Sequence, residues 1–310
     1  MTMTAKTRRR LLLAVTAVLL IDAQLLAVAQ AGRALATESL PAQTSTSHVR
    51  IALGSNRGTW TDFKAAIPEA KAVRVYYDAV NVFPDRWPDR AGPHVWTLLS
   101  IRPGPWDLLH GKLDAQLRTL IGSAPAHSDL TIWHENAVGN NPLGYPSSVH
   151  NPATYVRMQN HMERLVQGSR VRFGVIVCGP ANQVSGWLAP GLDWYGYDFY
   201  DNSRYWNADG TLNRDKQWSR MTANLDTFRQ VSGERYPPIR IGEANSPLDN
   251  HRKNWFRNIA QWFASHDGNR PAWLLSYWNS DHGKTAGGLS GPWPPSLPVI
   301  QELRSISWEY

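Results

Sequence analysis

One pattern recurs along the chain: short apolar runs, rich in β-branched and aromatic residues, alternate with segments of helical periodicity. Such runs are typical of strands covered on both faces, and strands separated by helices are typical of parallel pairing. The pattern predicts strands over Val49–Leu53, Val73–Tyr77, His94–Ile101, Leu130–Trp133, Val171–Cys178, Leu192–Phe199, Ile239–Ile241 and Trp273–Tyr277. The clearest helices are predicted over Asp107–Ile121, Pro152–Val166, Lys216–Val231 and Lys253–Ala264.

Eight strand–helix units in about 260 residues match a closed (β/α)8 barrel, the TIM barrel. The sequence therefore predicts a single α/β domain over 48–310. The second unit is the weakest, because Ala79–Pro93 contains three prolines and is predicted to be an irregular loop rather than a helix. An open doubly wound sheet is the alternative fold, but no glycine-rich G-x-G-x-x-G turn follows the first strand.

Residues 1–29 have the form of a secretory signal peptide. A basic start is followed by an apolar stretch over Leu11–Ile21 and by small residues at Ala27–Ala29. A second A-x-A site would place the cleavage as late as residue 36. Polar residues interrupt the apolar stretch well short of the roughly 20 residues that a membrane span needs, which favours cleavage over a retained anchor. We therefore expect a secreted protein with a flexible lead-in over 30–47.

Removal of this leader changes the formal net charge from +7 to +4, because the leader contains four basic residues and one acidic residue. A mildly basic protein can associate with an anionic cell-wall polymer, but no basic cluster remains that would indicate nucleic acid as a partner. The single cysteine, Cys178, excludes an intramolecular disulfide and is predicted to be a buried structural thiol. We expect a monomer stabilised by core burial, with no stable membrane insertion after cleavage.

Two glutamates follow predicted strands at the end of the barrel where this fold carries its functional residues. Glu135 follows the fourth strand and Glu243 follows the seventh. These strands lie on opposite sides of a mouth narrow enough for two long side chains to converge on one bond. Two facing carboxyl groups, one as proton donor and one as nucleophile, are the minimum equipment for cleaving a glycosidic bond. The 15 tryptophans, 11 tyrosines and 7 phenylalanines fit stacking on sugar rings.

Short motifs at the strand ends resemble those of the clan of retaining glycoside hydrolases with catalytic glutamates on barrel strands four and seven. The motifs are His134-Glu135, Gly242-Glu243, the strand-six segment Leu192–Tyr200, and Tyr277-Trp278. Histidine rather than asparagine before the first glutamate is most similar to glycoside hydrolase family 26, whose known members act mainly on β-mannans and related β-glycans. The resemblance implies that Glu135 is the acid/base and Glu243 the nucleophile. It also implies that Tyr200 donates its hydroxyl to the nucleophile and that Trp278 forms the floor of the sugar subsite.

The chemistry of the pair supports these roles. Retention requires carboxyl groups about 5–5.5 Å apart, so that one attacks the anomeric carbon while the other protonates the leaving oxygen. An aromatic wall formed by Trp133, together with the negative charge of Glu243, would raise the pKa of Glu135 and keep its proton in place. His134 and Asn136 are suited to gripping sugar hydroxyls or orienting a carboxylate. No cofactor is required.

Further polar and aromatic residues are candidates for substrate binding. Asp198 is predicted either to contact sugar or to form a buried ion pair with Arg102 at the end of strand three. Tyr197, beside it, and Trp206, on the long loop after strand six, are predicted substrate contacts. Three more residues that follow the first two strands face the predicted mouth, namely Asn56, Arg57 and Asp78.

The function predicted is a secreted, retaining hydrolase of a β-linked glycan, with endo-action favoured over exo-action in a closed pocket. A secreted carbohydrate-binding barrel without turnover is the alternative, and only the intact glutamate pair argues against it. A metal-dependent hydrolase is a weaker alternative, because the sequence has no H-x-H or H-E-x-x-H motif. A serine hydrolase would need a G-x-S-x-G turn, which the sequence also lacks.

Overall fold

The computed structural model describes residues 48–49, 51–56, 60–88, 95–135, 146–178, 185–201, 203–235, 237–246, 249–266, 273–277 and 297–308. All of them lie in the compact unit Thr46–Tyr310. The predicted signal peptide and lead-in fall outside the described residues, so the boundaries at 29, 36 and 47 remain predictions.

Eight parallel strands pair in chain order and close into a barrel, which confirms the predicted (β/α)8 fold. The strands of the chain are β1 (His48–Val49), β2 (Ile51–Asn56), β3 (Ala72–Val80), β4 (Trp96–Arg102), β5 (Ser128–Ile132), β6 (Val171–Cys178), β7 (Trp194–Tyr200), β8 (Ile239–Asn245), β9 (Trp273–Tyr277) and β10 (Ser307–Trp308). The barrel consists of β2 to β9, and pairing of β2 with β9 closes the ring. The short strands β1 and β10 form a separate parallel pair.

The described helices follow the strands of the barrel. They are α1 (Trp60–Ala66), α2 (Pro105–Leu109), α3 (Asp114–Gly122), α4 (Pro152–Val166), α5 (Arg214–Ser232), α6 (Asp249–His266) and α7 (Leu297–Ser305). The bounds of α4 are those predicted, because the Asn151 side chain accepts a hydrogen bond from the Thr154 N–H (3.1 Å) and caps its start. The helix predicted over Asp107–Ile121 is instead two helices, since Gly111 adopts a left-handed φ of 72° between them.

Two strand ends differ from the prediction and shape the mouth of the barrel. Strand β5 ends at Ile132, one residue early, because the next residue, Trp133, has a φ of 43°. Strand β8 continues to Asn245, beyond the predicted end at Ile241, and all of its residues are buried. In the segment predicted to be an irregular loop, residues 81–88 contain no helix.

The two faces of the strands have different surroundings. Outward-facing aromatic side chains pack against helices, as Tyr195 on β7 does against Phe228 on α5, with ring centroids 5.5 Å apart. Inside the barrel, a separate apolar cluster fills the amino-terminal end. It consists of Ala72, Trp96, Leu98, Ile176 and Trp194. This end is therefore closed by side chains, and the opposite end is left to form the site. No helix in the described part of the chain is long and apolar enough to span a membrane.

Candidate active site

The fold brings the two predicted catalytic glutamates together. Glu135 lies just beyond β5, Glu243 lies within β8, and each is at the carboxyl-terminal part of the barrel. One carboxylate oxygen of each glutamate and one of Asp198, on β7, lie within 4.8 Å of one another. Oxygens this near each other belong to the short carboxyl separation of a retaining mechanism, about 5–5.5 Å, and not to the roughly 6.5–9.5 Å of an inverting one. The arrangement of the pair therefore fits double displacement.

The backbone that carries Glu135 is bent into an uncommon conformation. Trp133 and Glu135 have φ angles of 43° and 61°, in the left-handed region that few residues other than glycine adopt. Hydrogen bonds hold the bend: the Glu135 N–H donates to the Ile176 carbonyl (2.8 Å), and the Trp133 indole N–H donates to the Pro103 carbonyl (2.7 Å). Conformations of this kind cost about 1–3 kcal/mol each and cluster at functional sites. Here the bend lies at Glu135, whose carboxyl group is the predicted acid/base.

Glu243 is buried, accepts two hydrogen bonds and forms an ion pair with one guanidinium. The Tyr76 hydroxyl donates to Oε1 (2.7 Å), the Tyr200 hydroxyl donates to Oε2, and the Arg74 guanidinium lies 3.0 Å from Oε1. Burial raises the pKa of both tyrosine hydroxyls well above the usual value, and the Glu243 charge raises it further, so both remain donors. Together these three groups hold the Glu243 carboxyl group in one orientation. The contact from Tyr200 is the one that the resemblance implied.

The surroundings of Glu135 favour the protonated form of its carboxyl group. Burial, and then the negative charge of Glu243, raise its pKa to about 7. A hydrogen bond with the Cys178 thiol, the charge of Arg74 and a hydrogen bond with Asp198 partly oppose this rise. The carboxyl group of Glu135 therefore keeps a proton into the neutral pH range. The proton of Glu135 is thus held close to the oxygens of Glu243.

Asp198 occupies the space between the two glutamates and is held by Arg74. Arg74 Nη1 lies 3.2 Å from Asp198 Oδ1, and both side chains are fully buried. Burial raises the pKa of Asp198 well above its usual value, and the negative charge of Glu243 adds to the rise. Because two carboxylates cannot hydrogen-bond without a proton, the contact between Asp198 and Glu135 requires a proton on one of them. We call Glu135, Asp198, Glu243 and Arg74 the mouth cluster.

The predicted ion pair between Arg102 and Asp198 is wrong. Arg102 Nη2 instead lies 3.0 Å from Asp78 Oδ1, at the exposed rim, and its guanidinium lies 5.8 Å above the Trp133 ring. The physical reason is the position of each side chain along the barrel axis. Arg102 is the last residue of β4, whereas the Arg74 guanidinium contacts Ser100, two residues earlier, at the level of the carboxylates. Asp78, also predicted to face the mouth, is the rim partner of Arg102.

Gly242 precedes Glu243 because no side chain fits there. A Cβ atom at this position would lie 2.6 Å from Arg74 Nη1 and 2.7 Å from Asp198 Oδ1, both shorter than any normal contact. The Gly-Glu motif on the seventh barrel strand is therefore explained by the close approach of the Arg74–Asp198 ion pair.

His134 lies below the mouth beside Tyr76. It is 7% exposed, and its ring meets the Tyr76 ring edge-on with centroids 5.3 Å apart. Burial, and then the charges of Arg74 and Arg102, lower the pKa of His134 well below its usual value, so the ring is neutral. This position fits the orienting role predicted for His134, because Tyr76 donates to Glu243.

Two other predicted substrate contacts lie away from the carboxylates. Tyr197 alternates with Asp198 along β7 and so faces outward, where its ring packs against Phe199 and Phe228. Trp206 donates its indole N–H to Asp201 (3.0 Å) and packs on the hydrophobic core. The structure thus gives Tyr197 a packing role and Trp206 a role in holding its own loop. Neither is brought to the mouth cluster.

Several predicted site residues fall outside the described part of the chain. They are Asn136, Trp278, Arg57 and the side chain of Asn56. Their proposed sugar contacts remain predictions. Arg74 and Tyr76, in contrast, are well described and were missing from the predicted site. Their spacing of two residues within one strand places both on the same face, and this is the signal that could have found them.

A divalent metal ion fits the mouth cluster poorly. Glu135, Asp198 and Glu243 are oxygen ligands of the kind that hard cations prefer. The guanidinium of Arg74, however, already lies within 3.2 Å of two of the three carboxylates and would repel a second cation. The arrangement gives the metal-dependent alternative no support.

Solved glycoside hydrolases share this fold. The GH5-4 broad specificity endoglucanase from Clostridium acetobutylicum aligns with a TM-score of 0.52 and 14% identity over 83% of this chain and 97% of the enzyme. A fungal β-1,4-galactanase aligns with a TM-score of 0.52 and 12% identity over 83% of this chain and 100% of that enzyme. For the GH5-4 broad specificity endoglucanase from Clostridium longisporum the TM-score is 0.50, with 10% identity over 82% and 95% of the two chains. At these identities the likeness establishes the barrel fold. No family model and no curated protein matches the chain.

Proposed function

We propose that the chain is a retaining glycoside hydrolase that cleaves a β-linked glycan by double displacement. The observation that carries the proposal is the pair Glu135 and Glu243, whose oxygens lie within 4.8 Å of each other in opposite electrostatic environments. Two hydroxyl donors and the Arg74 guanidinium hold the carboxyl group of Glu243, and Glu135 retains its proton. The reaction needs a nucleophile and a proton donor that act on the same glycosidic bond.

The first step forms a glycosyl–enzyme intermediate. A Glu243 oxygen attacks the anomeric carbon, the bond from this carbon to the glycosidic oxygen breaks, and Glu135 transfers its proton to the departing oxygen. Arg74, Tyr76 and Tyr200 fix the attacking carboxylate, so little reorganisation is needed at the moment of reaction.

The second step returns the enzyme to its starting state. Once Glu243 is esterified, its negative charge is gone, and the pKa of Glu135 falls because that charge contributed to raising it. Glu135 then accepts a proton from water, the water oxygen attacks the anomeric carbon, and Glu243 leaves as a carboxylate. The sugar product has the configuration of the substrate because two inversions have occurred.

The substrate we propose is a β-glycan polymer cleaved internally. Two of the aligned structures are endoglucanases of family 5 and a third is a β-1,4-galactanase. Family 5 belongs to the clan that the strand-end motifs resemble, which supports the clan and not family 26 in particular. We include mannan among the β-glycans proposed as substrates. A covalent sugar adduct would identify the sugar directly.

We also propose that the protein is secreted. The support is the basic start, apolar stretch and small residues of the predicted leader. The intact mass of protein recovered from culture medium would show whether the mature chain begins at residue 30 or residue 37.

Trapping of the intermediate tests the proposed function. The mature chain is incubated with a panel of activated 2-deoxy-2-fluoro-glycosides and analysed by mass spectrometry with peptide mapping. We expect one adduct on Glu243, none in Glu243→Ala, and an undiminished adduct in Glu69→Ala, which removes an exposed glutamate. A chelator should not change the yield.

Other outcomes would redirect the assignment. An adduct on a different carboxylate would overturn the role of Glu243. No adduct with any sugar, together with glycan binding by the same sample, would favour the non-catalytic carbohydrate-binding barrel.

A further inference from the structure

Exposed apolar side chains collect at one corner of the barrel mouth. Among the side chains that the structure describes, three large hydrophobic ones are prominently exposed: Val80 (49%), Val82 (56%) and Trp106 (64%). Val80 is the last residue of β3, Val82 follows it, and Trp106 follows the neighbouring strand β4, at the end of the barrel that carries Glu135. Single exposed apolar residues are ordinary, but a group of them beside a catalytic mouth calls for a ligand.

The segment that presents these side chains is rigidly held. Asn81 has a left-handed φ of 58°. Its Oδ1 accepts from the Gly104 N–H (2.5 Å), and its Nδ2 donates to Asp107 Oδ2 (2.8 Å). Its own N–H donates to the Arg102 carbonyl (2.9 Å). These bonds fasten the loop after β3 to the start of α2, so the corner is formed before any ligand arrives.

Trp106 offers one flat face to solvent. The His110 ring covers part of the indole, with centroids 3.5 Å apart and planes inclined by 34°. His110 is itself fixed, since its Nδ1 lies 2.8 Å from the Trp106 carbonyl oxygen. The remaining indole surface is uncovered among the described residues. A sugar ring presents C–H groups on one face and hydroxyls at its edge, and so it matches an indole surrounded by polar groups.

The corner is structurally continuous with the acid/base segment. The Trp133 indole N–H donates to the Pro103 carbonyl (2.7 Å), which links the residues before Trp106 to the bend that carries Glu135. The ion pair of Arg102 with Asp78 lies at the exposed rim, on the two strands that carry this corner. A glycan chain bound at the corner would have these polar groups near it.

We propose that Trp106, with Val80 and Val82, forms a distal subsite that stacks on a sugar ring of a β-glycan polymer away from the bond being cleaved. The proposal rests on the proposed function, since it assigns the same polymer to a second contact. A protein partner is a poorer occupant, because one indole face and two valines are far smaller than the roughly 800 Å² per partner of a stable protein interface.

The test compares a polymer with a short substrate. Trp106→Ala and Trp106→Phe are assayed on hydroxyethylcellulose, β-1,4-galactan and galactomannan, and on aryl glycosides of the sugar that labels Glu243. For the polymer that is cleaved, we expect Trp106→Ala to raise KM about 3- to 10-fold, as expected for the loss of one stacking contact. Trp106→Phe should recover most of the affinity, and kcat/KM on the short aryl glycoside should not change. Equal losses on both substrates, or no loss on polymer, would overturn the subsite.

A binding assay keeps this test separate from turnover. Wild-type chain and Trp106→Ala are run in native gels that contain each of the three polymers. Retardation that Trp106→Ala weakens supports the subsite even if no glycoside is cleaved and no adduct forms, which would be the failure of the proposed function alone. Retardation that the substitution leaves unchanged, or the absence of retardation on all three polymers, contradicts the subsite.

Discussion

Two clusters of charged side chains lie inside the same barrel, one at each end, and their charge balance differs. The amino-end cluster has one buried carboxylate, Asp129, with Arg240 Nε at 2.7 Å and Arg172 Nη2 at 3.0 Å. Both guanidinium groups lie over the Trp96 ring, at 4.2 and 4.7 Å from its centroid. The mouth cluster instead has three carboxyl groups and one guanidinium, that of Arg74.

This difference separates a structural cluster from a reactive one. In the amino-end cluster, the two guanidinium groups rest on an aromatic face, which attracts cations and has no proton to exchange, and Asp193 is a second carboxyl group near them. In the mouth cluster, burial and then the negative charge of Glu243 let Glu135 keep a proton up to a pKa of about 7. A proton that is held near neutrality can be transferred to a leaving group and recovered from water. An excess of carboxyl groups over guanidinium groups is therefore what allows the mouth cluster to donate a proton and recover it.

The largest effect is expected at the amino end. Asp129→Ala leaves the fully buried Arg240 without its carboxylate, and loss of one partner of a buried pair costs about 3–5 kcal/mol of unfolding free energy. Activity per folded molecule should not change, because this end does not contribute to the mouth cluster. Urea unfolding gives the stability, and titration with the trapping reagent gives the folded fraction.

A paired variant checks the cause of this loss. Asp129→Leu combined with Arg240→Met removes both charges and should recover much of the stability. A fall in kcat with unchanged stability in Asp129→Ala would instead show that the two clusters are electrostatically coupled.

A smaller effect is expected at Gly242, where the backbone lies against the mouth cluster. Gly242→Ala places a methyl group 2.6 Å from Arg74 Nη1 and 2.7 Å from Asp198 Oδ1, so the ion pair must move. We expect a loss of about 1–3 kcal/mol in unfolding free energy, together with a lower kcat, because Arg74 also holds Glu243. Gly186→Ala is the matched control, since its Cβ would meet nothing within 4 Å. Normal kcat in Gly242→Ala would mean that the position of Arg74 does not limit the reaction.

The strands and the glutamate pair could be predicted because both depend on local signals. Each barrel strand is covered on two faces, and this leaves an apolar run in the sequence. Which side chains meet inside the barrel depends on strand register and on the position of each residue along its strand. Apolar runs in the sequence encode neither of these. Arg74 was hidden inside such a run, and Asp198 was assigned to Arg102, which ends its strand at the rim. Tyr197 and Asp198 were both placed at the site, although neighbours on a strand face opposite sides.

The subtlest expected effect is a change in pH dependence from Asp198→Ala. In the wild type, Glu135 acts as an acid only while protonated, so kcat/KM should fall as the pH rises through its pKa of about 7. The hydrogen bond with Asp198 lowers the pKa of Glu135, because it stabilises the Glu135 carboxylate. Alanine at position 198 cannot donate this hydrogen bond, so the pKa of Glu135 should rise.

The alkaline limb of the kcat/KM profile should therefore move to higher pH in Asp198→Ala. Asp198→Asn keeps a side-chain donor and should leave this limb near its wild-type position. Asp129→Ala, which removes the same chemical group from the amino-end cluster, should leave the limb in place even though it lowers stability. An alkaline limb at the wild-type position in Asp198→Ala would mean that the proton of Glu135 is set by burial and Glu243 alone. The third carboxyl group would then belong with Asp129 as a structural partner of arginine.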